Sequence, residues 1–236
     1  MIESLTSPKL DRRKNSLSIF LGLGVLSTIG ILLLLWATPH GVGLSPDSAG
    51  YICAARSLLS GKGLMGLPLW DGTGGIFTNY GPLFPLLLAG LGFIKIDPMN
   101  GARLLNTLLF GANIGLISFL TYEYTRSLVP SVISAFLILT SFVTLEVHAS
   151  AVSEPLFLFF TFLGFFLLEK YLKKNSSQAL LFTASFVLSL AFLAKYSGVS
   201  ILVTGIFSLL LFSRESFPGK IREILIFSVL CGLPMA

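Results

Sequence analysis

Long apolar runs separated by short polar or charged clusters dominate the chain. The first run extends from about Leu17 to Ala37, and a polar, glycine-rich stretch follows it from Thr38 to about Gly81. Further apolar segments lie at roughly 83–96, 101–122, 129–147, 155–168, 178–194, 198–213 and 224–236. Such runs are typical of helices that cross a bilayer, where the backbone must satisfy its own hydrogen bonds. The run at 83–96 is short and contains Pro85, which predicts a re-entrant or interfacial helix.

The composition supports a membrane protein and excludes several other classes. Of the 236 residues, 54% are hydrophobic and 11% are charged, whereas a soluble domain carries about 25% charged residues. One core of this size cannot hide so much apolar surface, so a soluble globular domain is excluded. The chain contains only two cysteines, Cys53 and Cys231, which excludes a disulfide-rich scaffold. We therefore predict an all-α fold, a polytopic bundle of about seven transmembrane helices.

The positions of the basic residues predict the orientation in the membrane. If the N-terminus is cytoplasmic, eleven of the sixteen Lys and Arg residues fall in cytoplasmic segments, and the excess of positive charge on the inside supports that orientation. These are Lys9, Arg12, Arg13, Lys14, Arg126, Lys170, Lys173, Lys174, Arg214, Lys220 and Arg222. This arrangement predicts a multi-pass plasma membrane protein with residues 38–81 outside. It also explains the net charge of +5 without nucleic acid.

The chain divides into a cytoplasmic tail, residues 1–16, and a transmembrane domain, residues 17–236. The last apolar run ends without a basic or aromatic anchor beyond it. We therefore expect a C-terminal remainder to be missing from this sequence.

The first outer loop, residues 38–81, contains a predicted helix of about fifteen residues. Ser45 suits the N-cap, Pro46 the first helical position and Gly61 the C-cap. At about 100° per residue, Asp47 and Tyr51 lie on the apolar face and Arg56 lies on the opposite face. The pattern predicts an amphipathic helix at the outer membrane surface.

Four polar residues near the outer boundary have two interpretations each. Asp47 either favours the helix N-terminus through the macrodipole or, partly desolvated at the interface, acts as a base. Glu154 is either another helix-start carboxylate or a second acid that faces the same cavity. His148 is more often a solvated loop residue than a ligand, and Lys195 either snorkels to the surface or contacts a phosphate.

Several short motifs resemble the GT-C superfamily of membrane glycosyltransferases. Pro-Asp-Ser-Ala-Gly-Tyr at 46–51 and Ala-Arg-Ser-Leu-Leu-Ser-Gly-Lys-Gly-Leu at 55–64 resemble its first outer loop. Tyr80-Gly81-Pro82-Leu83-Phe84-Pro85, Gly101-Ala102-Arg103-Leu104-Leu105-Asn106 and Ser153-Glu154-Pro155 resemble the starts of later segments. The branch is that of protein O-mannosyltransferases, the aminoarabinose transferase of lipid A and Rgt-type lipopolysaccharide sugar transferases (families 39 and 83). Ser48 departs from the pattern, since some members carry a second acid there.

The resemblance implies a function and a role for each candidate residue. The enzyme would move a hexose, pentose or uronic-type sugar from a polyprenyl-phosphate donor to a hydroxyl of a glycan, lipid or protein acceptor, with inversion. Asp47 would be the general base, Glu154 would orient the acceptor, and Tyr51 would pack against the sugar or donor. Arg56, Lys62 and Lys195, in falling order of preference, would stabilise the phosphate leaving group. No cofactor is certain; a divalent ion would have Asp47, Glu154 and His148 as candidate ligands.

Two other functions stay open at this point. A transporter or flippase for the lipid-linked sugar would share the spans, but it should have charged or broken helices near the bilayer midplane. Here the charges cluster at the outer boundary, which favours a transferase. The third interpretation is a noncatalytic membrane subunit in which Asp47 only stabilises the start of its helix.

Overall fold

The computed structural model describes residues 8–68, 74–78, 80–174 and 177–232. Ten α-helices and one short hairpin account for most of these residues. The helices are α1 (Pro8–Ala37), α2 (Pro46–Leu59), α3 (Leu83–Phe93), α4 (Pro98–Thr125), α5 (Leu128–Thr140), α6 (Phe142–Ala149), α7 (Glu154–Lys174), α8 (Gln178–Ala194), α9 (Val199–Phe212) and α10 (Phe217–Gly232). Strands β1 (Met65–Pro68) and β2 (Gly74–Ile76) pair antiparallel. The all-α membrane fold predicted from the sequence is confirmed, with this hairpin as an addition.

The long helices pack side by side through small residues and apolar side chains. Helix α4 lies against α1 and α7, and α7 lies along α8. A Cβ atom at Gly164 of α7 would come within 2.4 Å of the Leu188 side chain on α8. Helices in membranes associate through such close approaches because lipid supplies no hydrophobic drive between them. The glycine therefore sets the spacing of the α7–α8 pair.

Only some of the predicted spans meet a length and hydropathy criterion in the described part of the chain. Helices α4 and α7 do so, and α5 with α6 makes a third span if the bent pair is counted as one. The ranges Gly22–Ala37, Gln178–Ala194 and Tyr196–Phe212 are shorter apolar helices. The number of seven crossings therefore stays a prediction. The predicted tail, 1–16, and the last run, 224–236, lie partly outside the described residues.

The predicted span at 129–147 is broken rather than continuous. Helix α5 ends at Thr140, α6 begins at Phe142, and the two are bent by 59°. Ser141 between them has extended backbone, and its side chain accepts a hydrogen bond from the Thr144 amide at 3.4 Å. An N-cap at this position starts a new helix and so explains the break.

The short segment at 83–96 forms α3, which packs on α2 and α4. Its buried residues Phe84 and Leu88 join Tyr51 and Ala55 of α2 in one apolar cluster. A second cluster joins α7, α8, α9 and α10 around Leu188. Helix α2 and the start of α7 share the first cluster and so lie at the same end of the bundle.

Candidate active site

Asp47 lies in the first turn of α2, and its position is fixed by the helix cap. The Ser45 side chain accepts from the Ser48 amide at 3.2 Å, and the Ser48 side chain accepts from the Ser45 amide at 3.0 Å. Pro46 occupies the first helical position, where no amide proton is needed. The predicted helix start is therefore confirmed. Its C-cap is Ser60, one residue before the predicted Gly61, which follows with φ of 76°.

The half-buried Asp47 carboxylate accepts a hydrogen bond from the Tyr80 hydroxyl at 2.8 Å. This hydrogen bond is the main reason that the pKa of Tyr80 is raised. Burial of the phenol and the negative charge of Asp47 add to the shift. The Tyr80 ring packs on Gly50, where a Cβ would lie 3.3 Å from the ring. At the next residue, Gly81, a Cβ would lie 2.3 Å from the Leu193 carbonyl oxygen. These approaches hold Tyr80 between Asp47 and the end of α8.

Tyr51, one turn after Asp47, is the buried centre of the site. It is 3% exposed, and its ring lies 5.2 Å from the rings of Tyr80 and Phe84, measured between centroids. Its hydroxyl shares a hydrogen bond of 2.8 Å with the Ser153 hydroxyl. Burial raises the pKa of Tyr51 to about 12; the Ser153 hydrogen bond opposes the shift, and the charges of Glu154 and Asp47 add to it. Tyr51 therefore connects α2, which carries Asp47, to Ser153, the residue before Glu154.

Glu154 begins α7 and forms an ion pair with Lys195, the residue that ends α8. The Lys195 ammonium donates to the Glu154 carboxylate at 2.5 Å. Both side chains stay partly accessible, at 38% for Lys195 and 33% for Glu154. They line a cavity of about 270 Å³ whose other walls include Val147, Phe157 and Leu158. A cation beside an apolar cavity can hold an anionic group that carries a hydrocarbon chain.

Arg56 and Lys62 lie elsewhere. They line a different cavity of about 690 Å³ on the far side of α2, and Asp47 lines neither cavity. The Arg56 guanidinium contacts Asp97 at 3.0 Å. The pKa of Asp97 is lowered, mainly because its carboxylate accepts from the Met99 amide at 2.9 Å and further because Arg56 is near. Of the three predicted phosphate contacts, the structure brings only Lys195 to Glu154.

The prediction that His148 is a solvated loop residue is wrong. His148 lies on α6 and is only 1% exposed. Its burial is tolerated because both ring nitrogens have partners inside the protein. Its Nδ1 donates to the Thr144 carbonyl oxygen at 2.7 Å, and its Nε2 lies 3.1 Å from the Asn113 amide nitrogen.

The described residues do not fit a divalent metal. No group of three His, Cys, Asp or Glu side chains among them could hold one ion. Both ring nitrogens of His148 are already engaged, and Glu154 is paired with Lys195. Asp47 is in no ion pair among the described residues, and its carboxylate accepts from the Tyr80 hydroxyl. We therefore assign no chemical step to a metal.

Sequence reasoning missed four polar residues around the site, namely Tyr80, Ser153, Asn106 and Asn113. Tyr80 and Ser153 lie within the quoted motifs, but nothing local predicts that they contact Asp47 and Tyr51. Asn106 and Asn113 carried a usable signal, since they lie seven residues apart in a predicted span. Polar side chains at such spacing share a face, and in a span they usually point into the bundle.

Comparison with known proteins identifies the family. The family model described as dolichyl-phosphate-mannose-protein mannosyltransferase matches residues 51–233. Tyr51, Arg56, Lys62, Glu154 and Lys195 fall within the match, whereas Asp47 lies four residues before its start. Searches of curated proteins and of solved structures gave no significant match. The resemblance seen in the sequence is confirmed, and the chain belongs to the dolichyl-phosphate-mannose-protein mannosyltransferase family.

Proposed function

We propose that Asp47 is the general base of this chain, a membrane glycosyltransferase that uses a lipid-linked sugar. The observation that carries the proposal is the arrangement around Tyr51. Its ring packs on Tyr80, which donates to Asp47, and its hydroxyl binds Ser153, which directly precedes Glu154, the partner of Lys195. Two carboxylates and a cation at one end of a membrane bundle supply the charges that glycosyl transfer from a phosphate requires. The donor is a polyprenyl-phosphate sugar in this proposal, and mannose is the sugar that the family favours.

Each group has one task in the reaction. Asp47 removes the proton from the acceptor hydroxyl as that oxygen attacks the anomeric carbon. The new carbon–oxygen bond forms while the bond from that carbon to the phosphate oxygen breaks, so the configuration inverts and the lipid phosphate leaves with the electron pair. The Tyr80 hydrogen bond, at 2.8 Å, keeps the Asp47 carboxylate in one orientation. Lys195 stabilises the negative charge on the departing phosphate.

The ion pair between Lys195 and Glu154 fits this division of work. An ammonium has three donors, so Lys195 can keep Glu154 and still contact a phosphate oxygen. The apolar walls of the adjacent 270 Å³ cavity suit the first isoprene units of the donor. Glu154 then orients the acceptor, a protein or a glycan. Tyr51 packs on Tyr80 and binds Ser153, so it holds the neighbours of both carboxylates.

The reaction takes place on the outer side of the plasma membrane in this proposal. The bias of basic residues toward the predicted cytoplasmic segments supports that orientation. Nucleotide sugars are cytoplasmic, so a transferase that faces outward needs a donor that has already crossed the membrane on a lipid. A site at the membrane boundary lets the prenyl chain stay in hydrocarbon while its phosphate meets Lys195.

The test is sugar transfer from radiolabelled polyprenyl-phosphate mannose to endogenous acceptors in membranes that carry the protein. Asp47→Asn keeps the shape of the side chain and removes the base, so kcat should fall by about 10²–10⁴-fold. The matched control is Asp97→Asn, which changes an exposed carboxylate bound to Arg56 and should keep kcat within about twofold of wild type. Full transfer by Asp47→Asn, with equal expression, would refute the base. Absence of transfer from every donor by the wild type would favour a flippase or a subunit.

A further inference from the structure

Asn106 of α4 binds the connection between α6 and α7. The side chain is fully buried, and its amide nitrogen donates to the carbonyl oxygens of Ser150 and Val152 at 2.7 and 3.1 Å. These two carbonyls flank Ala151, which is also fully buried. A non-helical segment inside a membrane protein must find donors for its carbonyls, because lipid offers none. One amide group thus binds two carbonyls, of which that of Ser150 also accepts from the Val152 amide at 2.9 Å, and fixes the path of this connection.

Asn113, seven residues later on the same helix, binds the elements on either side of that connection. It is 2% exposed, and its amide nitrogen donates to the Pro155 carbonyl oxygen at 3.0 Å. The same nitrogen lies 3.1 Å from Nε2 of His148. A carbonyl can only accept, so Nδ1 of His148 carries the proton for Thr144 and Nε2 accepts from Asn113. Asn113 therefore joins α4 to α6 and to the first turn of α7.

This connection also contacts residues that lie close to Glu154 and to Asp47 in the chain. On one side, Ser153 binds the Tyr51 hydroxyl, and Glu154 follows directly. On the other side, the Gly43 amide donates to the Ala149 carbonyl oxygen at 2.7 Å, and the Ala151 amide donates to the Gly43 carbonyl oxygen at 2.9 Å. Gly43 lies four residues before Asp47 and two before Ser45, the N-cap of α2.

We infer that Asn106 and Asn113 are positioning residues, which hold Asp47 and Glu154 at the separation that sugar transfer requires. This inference rests on the proposed function of the two carboxylates. Neither asparagine contacts a carboxylate; each acts through the backbone of residues 150–155. An apolar side chain would fill the same volume on α4 but would remove one donor from each bound carbonyl. Ser150 would keep the Val152 amide at 2.9 Å, whereas the Val152 carbonyl would lose the donor that the structure shows for it, which is costly in a buried position. The segment would then shift to find other partners.

The experiment compares three Asn→Leu variants of the full-length protein on the same helix. Asn106→Leu removes both donors to the connection, Asn113→Leu removes the donor to Pro155, and Asn100→Leu is the matched control because Asn100 is exposed. For Asn106→Leu we expect kcat, normalised to protein that binds donor lipid, to fall by about 10- to 100-fold with little change in donor KM, since misplacement by about 1 Å costs about that much. Asn113→Leu should lose less, and Asn100→Leu should equal wild type.

A second measurement reads the position of the segment without activity. A Cβ at residue 43 would lie 3.0 Å from the Ser150 side-chain oxygen, so Gly43→Cys with Ser150→Cys should oxidise readily to a disulfide. Cys53→Ala and Cys231→Ala remove the natural thiols from the background. Adding Asn106→Leu should slow the oxidation several-fold, whereas adding Asn100→Leu should leave it unchanged.

The two measurements separate this inference from the proposed function. Wild-type kcat and wild-type cross-linking in Asn106→Leu would overturn the inference, even if Asp47→Asn is inactive. If Asn106→Leu does not fold, the same outcome in Asn113→Leu would overturn it. Slower cross-linking together with full transfer by Asp47→Asn would refute the base and retain the asparagines only as supports of the segment.

Discussion

Helix α7 carries a glutamate near each end, and each glutamate pairs with a lysine and has tyrosines nearby. Glu154 begins the helix, and Glu169 lies fifteen residues later, which is about 22 Å along the axis. Glu169 pairs with Lys173, one turn away on the same helix, and accepts a hydrogen bond from Tyr124. Glu154 pairs with Lys195, which comes from the end of α8. The Glu169–Lys173 pair lies within one helix, whereas the Glu154–Lys195 pair joins the start of α7 to the residue after α8.

The cavities beside the two glutamates also differ. The larger one lies beside Glu169, whereas the smaller one lies beside Glu154, to which we assign a role in the reaction. The cavity beside Glu169 has a volume of about 770 Å³ and mostly apolar walls, whereas the one beside Glu154 has about 270 Å³. The two glutamates are equally accessible, at 31% and 33%, but Lys173 is 64% exposed and Lys195 only 38%. The convergence of polar groups from distant segments therefore marks the site better than cavity volume does.

The largest difference is expected when each glutamate is changed to glutamine. Glu154→Gln removes the acid that orients the acceptor and leaves Lys195 without its partner, so kcat should fall by about 100-fold. Glu169→Gln breaks a local surface pair and should change kcat by less than about twofold. Transfer assays on membranes with equal amounts of each variant give both values. An equal loss at the two ends would contradict the comparison.

The two paired lysines should differ in their effect on donor binding. Lys195→Ala removes a charge-assisted contact to the donor phosphate, so the KM for the donor should rise by about 10- to 30-fold, and kcat should fall because the charge on the departing phosphate is no longer stabilised. Lys173→Ala should leave that KM unchanged, because Lys173 lies at the far end of α7, where it pairs with Glu169 and lies over the Tyr124 ring. Donor titrations at fixed acceptor concentration measure the effect. A donor KM that is unchanged in Lys195→Ala would remove Lys195 from the site.

A smaller effect is expected from Tyr80 and Tyr124, which donate to Asp47 and Glu169. Tyr80→Phe removes the hydrogen bond that orients Asp47, so kcat should fall by about tenfold. Tyr124→Phe removes the hydrogen bond to Glu169 and should not affect transfer. The two variants lose the same hydroxyl group, so a loss that is similar in both would show a general effect on the bundle.

The smallest expected effect is on stability at high pH. Burial raises the pKa of Tyr51 to about 12 in the fold, from 10.0 for an exposed phenol. A raised pKa means that the folded state holds the proton more tightly, so this stabilisation is complete below pH 10 and is lost as the pH rises toward 12. Tyr51→Phe cannot ionise and should lose less stability over that range. Thermal unfolding in detergent between pH 9 and 12 measures the slope; equal slopes would contradict the burial of the phenol.

Local features of the fold could be predicted from the sequence, because their causes lie within a few residues. The start of α2 follows from Ser45 and Pro46, and its turn at Gly61 follows from the glycine. The break at Ser141 was not predictable from proline or glycine, since neither is present there. A serine starts helices as readily as it sits inside them, and only tertiary packing decides between the two.

The contacts that build the candidate site could not be predicted, because they join residues far apart in sequence. Lys195 and Glu154 are separated by 41 positions and Tyr51 and Ser153 by 102. The helical phase of α2 predicts that Arg56 and Asp47 lie on opposite faces. It says nothing about Lys195, which lies on another helix end and pairs with Glu154. His148 was misassigned for the same reason, since Asn113, its partner, lies 35 positions away.

The central claim is that Asp47 and Glu154 serve one reaction at one site. A double-mutant cycle of Asp47→Asn and Glu154→Gln tests it directly, with residual transfer measured above the background of membranes without the protein. Groups that act together in one step are strongly non-additive. The account predicts that the double variant is about as slow as Asp47→Asn alone. If the losses of the two single variants multiply in the double variant, the two carboxylates act independently and the account is wrong.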